Sequence, residues 1–241
     1  PSRSRPCPNR RRRPGIERAA RHRPGGGLAP AATRSGRRRR ARAAGAPLKP
    51  VLILASTSVY RRELLSRLGL PFSCEAPGVD EVPRHGEAAR DQAVRLAQEK
   101  ARAVARRHPG ATVIGSDQVG VGPDGSPLTK PGTLEAACAQ LASLSGASAR
   151  FHTAVAVVAP DGRISAEPVE SVVRFQVLST ARIRQYLARE QALDCAGSFK
   201  AEGLGIALIE RIDGDDPTAL IGLPLIATTR LLRAAGLDPL R

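Results

Sequence analysis

Apolar and polar positions along residues 51–241 repeat with two periods, and these periods separate predicted strands from predicted helices. Aliphatic runs at 51–55 and 112–115 predict two short buried strands. FHTAVAVV at 151–158 and VESVVRFQVL at 169–178 flank a DG turn, a pattern that predicts an antiparallel hairpin. Apolar residues recur at helical spacing over 61–70, 87–107, 133–144, 181–188 and 223–235. Strands and helices therefore alternate in mixed order, as in an α/β protein.

The first strand passes directly into a turn rich in hydroxyl groups and then into a helix. Ser56, Thr57 and Ser58 can each cap the helix that RRELLSRLGL predicts. A helix start with free N–H groups, hydroxyls and the guanidinium groups of Arg61 and Arg62 is typical of an anion site. From the spacing alone an alternative stays open, in which the serines only cap and the arginines only face solvent.

Acidic residues follow two of the predicted strands. Glu81 comes after a short strand predicted at 72–79, next to Asp80. Asp117 follows the strand at 112–115, between Ser116 and Gln118, and we expect it on a turn at the carboxyl end of that strand. There it would hold a metal or a water molecule, unless it only forms an Asx turn.

Three lysines accompany these acids in predicted helices and loops. Lys100 lies in the helix over 87–107, and Lys130 precedes the helix over 133–144. Lys200 and Glu202 lie two positions apart in a glycine-rich block, and would share one face if that block is extended. A lysine on its own is usually a solvent-facing residue, so the spacing alone assigns them no function.

Five motifs in this order resemble the Maf-like nucleotide pyrophosphatases. ASTSVYRRELLSRLGLPF is similar to the signature A-S-x-S-P-x-R-R-x-x-L-L-x-x-L-G of that family, with Val59 in place of the proline. RLAQEKA, GSDQV, TKPGTLEAACAQLASLSG and the run from CAGSFKAEG to GDDPTALIGLPL resemble the other family elements. The resemblance covers residues 48–241 and implies a mixed twisted sheet with two lobes around a central cleft, as in inosine triphosphate pyrophosphatases.

The resemblance also implies an activity and a set of site residues. The family hydrolyses a nucleoside triphosphate to the monophosphate and diphosphate, with Asp117 as the base that activates water. Glu81 and Asp117 are expected to hold a divalent cation, Mg²⁺ or Mn²⁺, since neither ion needs Cys or His ligands. The residues expected to bind substrate are Ser56, Arg61, Arg62, Lys100, Lys130 and Lys200. The same resemblance implies a cytoplasmic homodimer.

Three positions are expected to choose the base: Tyr60, Gln118 and Glu202. Gln118 after the aspartate and Glu202 in KAEG both resemble the 7-methyl-GTP branch of the family, which has Trp at the position of Tyr60. A tyrosine still offers a π-face to a cationic purine, although a weaker one than tryptophan. The alternative is a pyrophosphatase for dTTP, UTP or another noncanonical nucleotide.

The formal charge of +16 is concentrated before the region of resemblance. Residues 1–49 carry fifteen Arg, one Lys and one Glu, a net charge of +15, whereas the rest of the chain carries 22 basic and 21 acidic residues, a net charge of +1. The composition of residues 1–48 predicts disorder. We interpret it first as an extension outside the functional protein, with a nucleic-acid-binding arm and a transit-like peptide as alternatives.

Deletion of residues 1–48 separates an enzyme, which survives it, from a nucleic-acid binder, which loses affinity. For the folded domain at 49–241 we expect no nucleic-acid partner. The four cysteines lack the spacing of a zinc site or disulfide framework, which fits a reducing compartment. No apolar run has the length of a membrane helix or a secretory signal.

Overall fold

Seven strands form one mixed sheet in the part of the chain that the computed structural model describes, residues 51–190 and 192–241. The strands are β1 (Leu52–Leu54), β2 (Ser73–Cys74), β3 (Thr112–Val121), β4 (Pro127–Leu128), β5 (Ser148–Val158), β6 (Ile164–Phe175) and β7 (Ile209–Gly214). The helices are α1 (Val59–Ser66), α2 (Ala89–Ala105), α3 (Leu134–Leu144), α4 (Thr180–Arg189) and α5 (Leu225–Ala234). The predictions about residues 1–48 lie outside the described residues.

The order of strands leaves an opening along one edge of β3. The sheet runs β2-β1-β3-β5-β6-β7, with β1 parallel to β2 and β3 and the remaining pairs antiparallel. On the β1 side, strand β1 covers β3 only at 112–114, and β4 covers it only at 120–121. Within the described residues, 115–119 therefore have a strand neighbour only on the β5 side. This gap lies at the carboxyl end of β1, where α/β proteins commonly bind ligands.

Three apolar clusters cover the two faces of the sheet. Helix α2 packs its alanines against Ile53, Val113 and Ala154 on one face, while α1 and α5 cover the opposite face around Leu54 and Ile114. A third cluster joins α3 and α4 to the far ends of β5 and β6. The predicted fold class, a mixed α/β sheet with flanking helices, is confirmed. None of the helices at 51–190 and 192–241 has the length and apolar character needed to cross a bilayer.

Strand β3 corrects one expectation from the sequence. We expected the strand to end at Gly115 with Asp117 on a turn, but β3 continues to Val121, and Asp117 lies in its middle. The reason is β5, which pairs with β3 continuously from Val113 to Val121. Ser116, Asp117 and Gln118, the polar residues that we expected to end the strand, pair with β5 and therefore remain within β3. The strand predicted at 72–79 is likewise shorter, since only Ser73 and Cys74 pair with β1.

Gly115 sets the distance between β3 and α2. A Cβ atom at this position would overlap the backbone oxygen of Ala97 and lie 2.6 Å from the backbone nitrogen of Ala101. The absence of a side chain therefore lets the helix backbone rest directly on the strand. Because Lys100 precedes Ala101 on this helix, the same contact brings Lys100 toward β3.

Replacement of Gly115 by alanine is expected to lower the free energy of unfolding by about 1–3 kcal/mol, the usual cost of overpacking. Urea denaturation measures this change. Gly122→Ala is the matched control, since its Cβ would meet only side-chain atoms, the nearest at 3.1 Å. Equal stability of the two variants would show that the close approach of α2 to β3 does not depend on Gly115.

Candidate active site

A cavity of about 630 Å³ opens at the gap in the sheet. Its walls come from the β1–α1 turn, the middle of β3, the segment around 194–202 and the turn at 220–222. Nine of the eleven predicted site residues line it: Ser56, Tyr60, Arg61, Glu81, Lys100, Asp117, Gln118, Lys130 and Glu202. Arg62 and Lys200 are not part of the lining.

Lys100 bridges the two predicted acids at the deep end of this cavity. Its Nζ lies 2.6 Å from Oδ1 of Asp117 and 2.5 Å from Oε1 of Glu81. The side chains of Lys100 and Asp117 are only 5% and 8% exposed, whereas that of Glu81 is 60% exposed. The charges of a buried lysine and a buried aspartate therefore compensate each other, and Glu81 closes the group from the solvent side.

Burial raises the pKa of Asp117 above the ordinary value for a carboxyl group, while the positive charges of Lys100 and Arg61 oppose the rise. A carboxylate with a raised pKa is a stronger base than a solvated one. A buried carboxylate in a cavity next to cationic groups is typical of a catalytic acid or base.

The donor set fits a magnesium or manganese ion. Among the described residues no group of three or more His, Cys, Asp or Glu side chains gathers as a metal cage. Glu81 and Asp117 nevertheless converge on one cationic point, the position that the Lys100 ammonium holds here. Mg²⁺ commonly binds one or two carboxylates and completes its shell with water and substrate phosphate oxygens. Glu81 and Asp117 are therefore the residues that would hold a cation arriving with a phosphorylated substrate.

The start of α1 supplies the second charged group of the cavity. Ser58 caps the helix by accepting a hydrogen bond from the Arg61 N–H, and Ser56 Oγ accepts one from the Ser58 N–H at 3.1 Å. Arg61 Nε donates to the Gly222 carbonyl at 2.9 Å. Burial lowers the pKa of Arg61, and Asp117 and Glu81 oppose this change, which places the guanidinium in the same electrostatic environment as the acids.

Arg62 lies outside this environment. It is exposed on α1 and absent from the cavity lining. Its positive charge acts on Cys74 of β2, where it opposes the rise in the thiol pKa that burial causes. The structure thus separates the two arginines that the sequence motif places side by side.

Lys200, which we predicted to be a phosphate-side lysine, lies beside Tyr60 and Asp194. Its Nζ lies 5.9 Å from the centroid of the Tyr60 ring and 4.0 Å from Asp194 Oδ1. The segment after Lys200 forms a turn, so Lys200 and Glu202 do not share the face of an extended strand. Desolvation raises the pKa of Glu202, and the carboxylates of Glu190 and Asp194 act in the same direction. Aromatic and acidic groups therefore gather around Lys200 and Glu202.

Gln118 approaches the cavity from the other face of the sheet. Its Nε2 lies 2.9 Å from Thr153 Oγ1 and 3.1 and 3.0 Å from the carbonyl oxygens of Ala219 and Leu220. Three acceptors around one nitrogen fix the orientation of the amide. The group left to meet a ligand is then Oε1, a hydrogen-bond acceptor.

Tyr186 of α4 and Glu190, the residue directly after this helix, hold the segment that carries Lys200 and Glu202, and sequence reasoning missed both. Tyr186 Oη accepts a hydrogen bond from the Lys200 N–H at 3.1 Å, and Glu190 Oε2 accepts one from the Gly205 N–H at 3.2 Å. The Glu190 carboxylate also lies directly over Gly203, where a Cβ atom would displace it. Glu190 has extended backbone at the end of the helix, so helical spacing gave no signal for its contact.

Asp216 shapes the turn that ends at Gly222. This buried carboxylate accepts hydrogen bonds from the Thr218 N–H and hydroxyl, at 3.0 and 2.7 Å, and from the Ile226 N–H at 2.7 Å. The turn then presents the Gly222 carbonyl to Arg61 and to the Ser116 hydroxyl, each at 2.9 Å. The GDDP motif was recognised from the sequence as a family signature, but the hydrogen bonds by which Asp216 shapes the turn were not predicted.

Comparison with known proteins decides the family. A family model described as Maf-like protein matches residues 51–235. The chain belongs to the Maf family. The resemblance found in the sequence motifs is thereby confirmed, and the match includes every predicted site residue.

The chain is also similar to named relatives and to a solved structure. The chain is 57% identical over 189 residues to a 7-methyl-GTP pyrophosphatase of Xanthomonas oryzae pv. oryzae, which covers 78% of this chain and 98% of that protein. It is 55% identical over 194 residues to a protein of the same name from Bordetella pertussis, covering 80% and 96%. A nucleoside-triphosphatase / dITP/XTP pyrophosphatase structure from Mycobacterium abscessus covers 79% of this chain and 100% of that one, at 21% identity and a TM-score of 0.40.

Proposed function

We propose that this chain is a nucleotide pyrophosphatase that hydrolyses 7-methyl-GTP to 7-methyl-GMP and diphosphate. The observation that carries the proposal is the buried Asp117–Lys100 pair next to Glu81 and Arg61 in one cavity. Relatives that match almost their whole length bear the name 7-methyl-GTP pyrophosphatase, which supports the choice of substrate.

In the proposed reaction a water molecule attacks the α-phosphorus, and Asp117 accepts its proton. Oδ1 of Asp117 is engaged by Lys100, which leaves the other carboxylate oxygen for this task. The bond from the α-phosphorus to the bridging oxygen breaks, and diphosphate leaves with that oxygen. General-base catalysis of this kind contributes about 10² to 10⁴ in rate.

Positive charge in the cavity stabilises the phosphate oxygens as negative charge develops on them. Arg61 is held by Gly222, Lys100 is held by two carboxylates, and the exposed Lys130 lines the same cavity. Groups fixed before the reaction need no reorganisation during it, which is the main source of electrostatic catalysis. A divalent cation on Glu81 and Asp117 would supply Lewis-acid stabilisation of the same oxygens.

The part of the cavity lined by Tyr60 and Glu202 suits a cationic purine. Tyr60 offers a π-face, and Glu202 offers a carboxylate among the further acids Glu190 and Asp194. Oε1 of Gln118 and the Glu202 carboxylate are acceptors, and the guanine edge carries N–H donors. Methylation gives guanine a positive charge that these groups stabilise, whereas a thymine or uracil lacks both the charge and the donor pattern.

Substitution of Glu202 by glutamine is expected to lower kcat/KM for 7-methyl-GTP by about 10- to 100-fold, the usual worth of a hydrogen bond to a charged group. The value for GTP should change less, because GTP carries no positive charge on its base. A screen of 7-methyl-GTP, GTP, dTTP and UTP with Mg²⁺ and with Mn²⁺ measures both values in the two proteins.

Glu210→Gln is the control, since Glu210 pairs with Arg174 on the exposed face of β7. Faster hydrolysis of dTTP and UTP than of 7-methyl-GTP by the unsubstituted protein would overturn the proposed substrate and favour the alternative branch. An equal loss for GTP and 7-methyl-GTP in the Glu202 variant would show that its charge does not select the methylated base.

The proposal extends to the limits and setting of the domain. We place the catalytic domain at 49–241 and regard residues 1–48 as dispensable for catalysis, in a cytoplasmic homodimer as the family resemblance implies. A chain that lacks residues 1–48 should keep its kcat/KM for 7-methyl-GTP. Loss of this activity together with loss of nucleic-acid affinity would instead favour the basic arm as the functional part.

A further inference from the structure

Glu81 reaches the cavity from a segment that has no regular structure of its own. Residues 75–88 form neither helix nor strand. Yet the Glu81 carboxylate lies 2.5 Å from Lys100 Nζ, although its side chain is 60% exposed. A solvent-exposed side chain on an irregular segment gains little order from one ion pair. The position of Glu81 therefore depends on what holds the segment around it.

Arg95 of α2 holds this segment at two points. Its guanidinium makes a bidentate ion pair with Glu87, with Nε at 2.6 Å from Oε1 and Nη2 at 2.7 Å from Oε2. Nη2 also lies 3.3 Å from the carbonyl oxygen of Val82, the residue directly after Glu81. Nη1 donates to Glu99 at 3.1 Å, on the next turn of the same helix.

This contact is well buried for a pair of charged residues. The side chains of Arg95 and Glu87 are 13% and 11% exposed, far less than those of the surface pairs on the same helix. The Arg95 partner lowers the pKa of Glu87 to about 2, so the pair is charged at neutral pH. Glu87 also accepts a hydrogen bond from the Arg84 N–H at 3.1 Å, which folds residues 84–87 into a turn around it.

Helix α2 thus carries both the residue that binds Glu81 and the residue that fixes its segment. Lys100 contacts the carboxylate itself, and Arg95 contacts the backbone directly after it and the side chain six positions later. We propose that Arg95 is a positioning residue for Glu81, acting through Glu87 and the Val82 carbonyl. The inference rests on the proposed function, in which Glu81 takes part in the reaction.

A simpler role for Arg95 is to stabilise the fold without any link to Glu81. The two roles differ in one measurable way. If Arg95 acts through Glu81, its substitution should matter only while Glu81 has its carboxylate. If Arg95 is only structural, its substitution should lower turnover by the same factor whether or not Glu81 is present.

A double-mutant cycle with Arg95→Lys and Glu81→Gln tests the inference in the full chain with 7-methyl-GTP. Lysine keeps the charge but lacks the planar fork that holds Glu87 and Val82 together. We expect Arg95→Lys to lower kcat by about 10- to 100-fold, as misplacement of a reacting group by about 1 Å does. In the Glu81→Gln background we expect it to lower kcat by less than about 2-fold.

Two further measurements separate positioning from general destabilisation. Glu87→Gln removes the other half of the ion pair and should reproduce the effect of Arg95→Lys, again only in the presence of Glu81. Arg90→Lys is the matched control, because Arg90 lies on the same helix in an exposed pair with Asp91. Hydrogen exchange should become faster at residues 79–87 in Arg95→Lys while the amides of β3 keep their protection.

The inference is overturned if Arg95→Lys leaves kcat unchanged, or if it costs the same factor with and without the Glu81 carboxylate. Full turnover of Glu81→Gln alone would instead remove Glu81 from the proposed mechanism, and the role of Arg95 would fall with it. The two failures are distinguishable, because the second is visible in the single Glu81 variant.

Discussion

Replacement of Asp117 by asparagine is expected to lower kcat for 7-methyl-GTP by at least about 10²-fold, the lower limit for loss of a general base. Asparagine keeps the volume and one oxygen, so it leaves the packing of β3 against α2 in place. It cannot accept a proton from water. Steady-state kinetics on the purified variant measures the loss, and urea denaturation verifies that the protein remains folded.

The pH profile of the unsubstituted protein also tests the assignment of Asp117 as the general base. Asp117 works as a base only when it is unprotonated, so kcat/KM should rise with pH through the pKa of this group. Burial raises that pKa, which moves the acid limb above the ordinary range of an aspartate. In Asp117→Asn the limb should disappear. Asp91→Asn is the control, since Asp91 is exposed at the start of α2. Near-normal turnover of Asp117→Asn would contradict the assignment of Asp117 as the base.

Substitution of Arg61 by glutamine is expected to lower kcat/KM by about 10²- to 10³-fold, the range found when one preorganised donor is removed. The same substitution at Arg62 should cost less than about 3-fold. The difference follows from the structure, in which Arg61 lines the cavity and donates to Gly222 while Arg62 is exposed near β2. The two variants carry the same change in net charge, so each is the control for the other.

Measurement of kcat and KM separately sharpens this comparison. Loss of a contact made equally to substrate and transition state would raise KM alone, whereas loss of transition-state stabilisation lowers kcat. We expect the larger share of the Arg61 effect in kcat. An Arg62 variant as impaired as the Arg61 variant would contradict the separation of the two arginines.

The inward direction of two cationic groups of the cavity, Arg61 and Lys100, was present in the sequence pattern. Arg61 lies three and four positions before Leu64 and Leu65, and these three residues therefore share the inner face of α1. Lys100 lies four positions after Leu96 and three after Ala97 on the inner face of α2. Helical periodicity thus predicts both orientations. Our sequence interpretation treated the two arginines alike and assigned a function to Lys100 only through the family resemblance.

The position of Asp117 shows where sequence patterns reach their limit. The run at 112–115 predicted the strand, but its true length is set by pairing with β5, more than thirty residues later. The same holds for Lys200, whose motif suggested a phosphate contact and whose place is beside Tyr60. Residues near Asp117 in the chain do not reveal β5 as the strand partner, and residues near Lys200 do not reveal Tyr60 as its neighbour.

The supporting residues were the hardest to predict. Arg95 and Tyr186 lie on helices whose periodicity was recognised, and Glu190 directly follows one, yet each contacts a backbone group of a distant loop. Backbone acceptors and donors leave no trace in the identity of the residue that carries them. Such contacts are recognised only from the folded arrangement of the loops.

The most direct test of the proposed chemistry is hydrolysis of 7-methyl-GTP in water enriched in ¹⁸O, with mass spectrometry of both products. Attack at the α-phosphorus places the label in 7-methyl-GMP and leaves the diphosphate unlabelled, and we expect this result for the unsubstituted protein. Label in the diphosphate would mean attack at the β-phosphorus. Release of inorganic phosphate would mean cleavage of a different bond. Either result would contradict the proposed function of the Asp117 site.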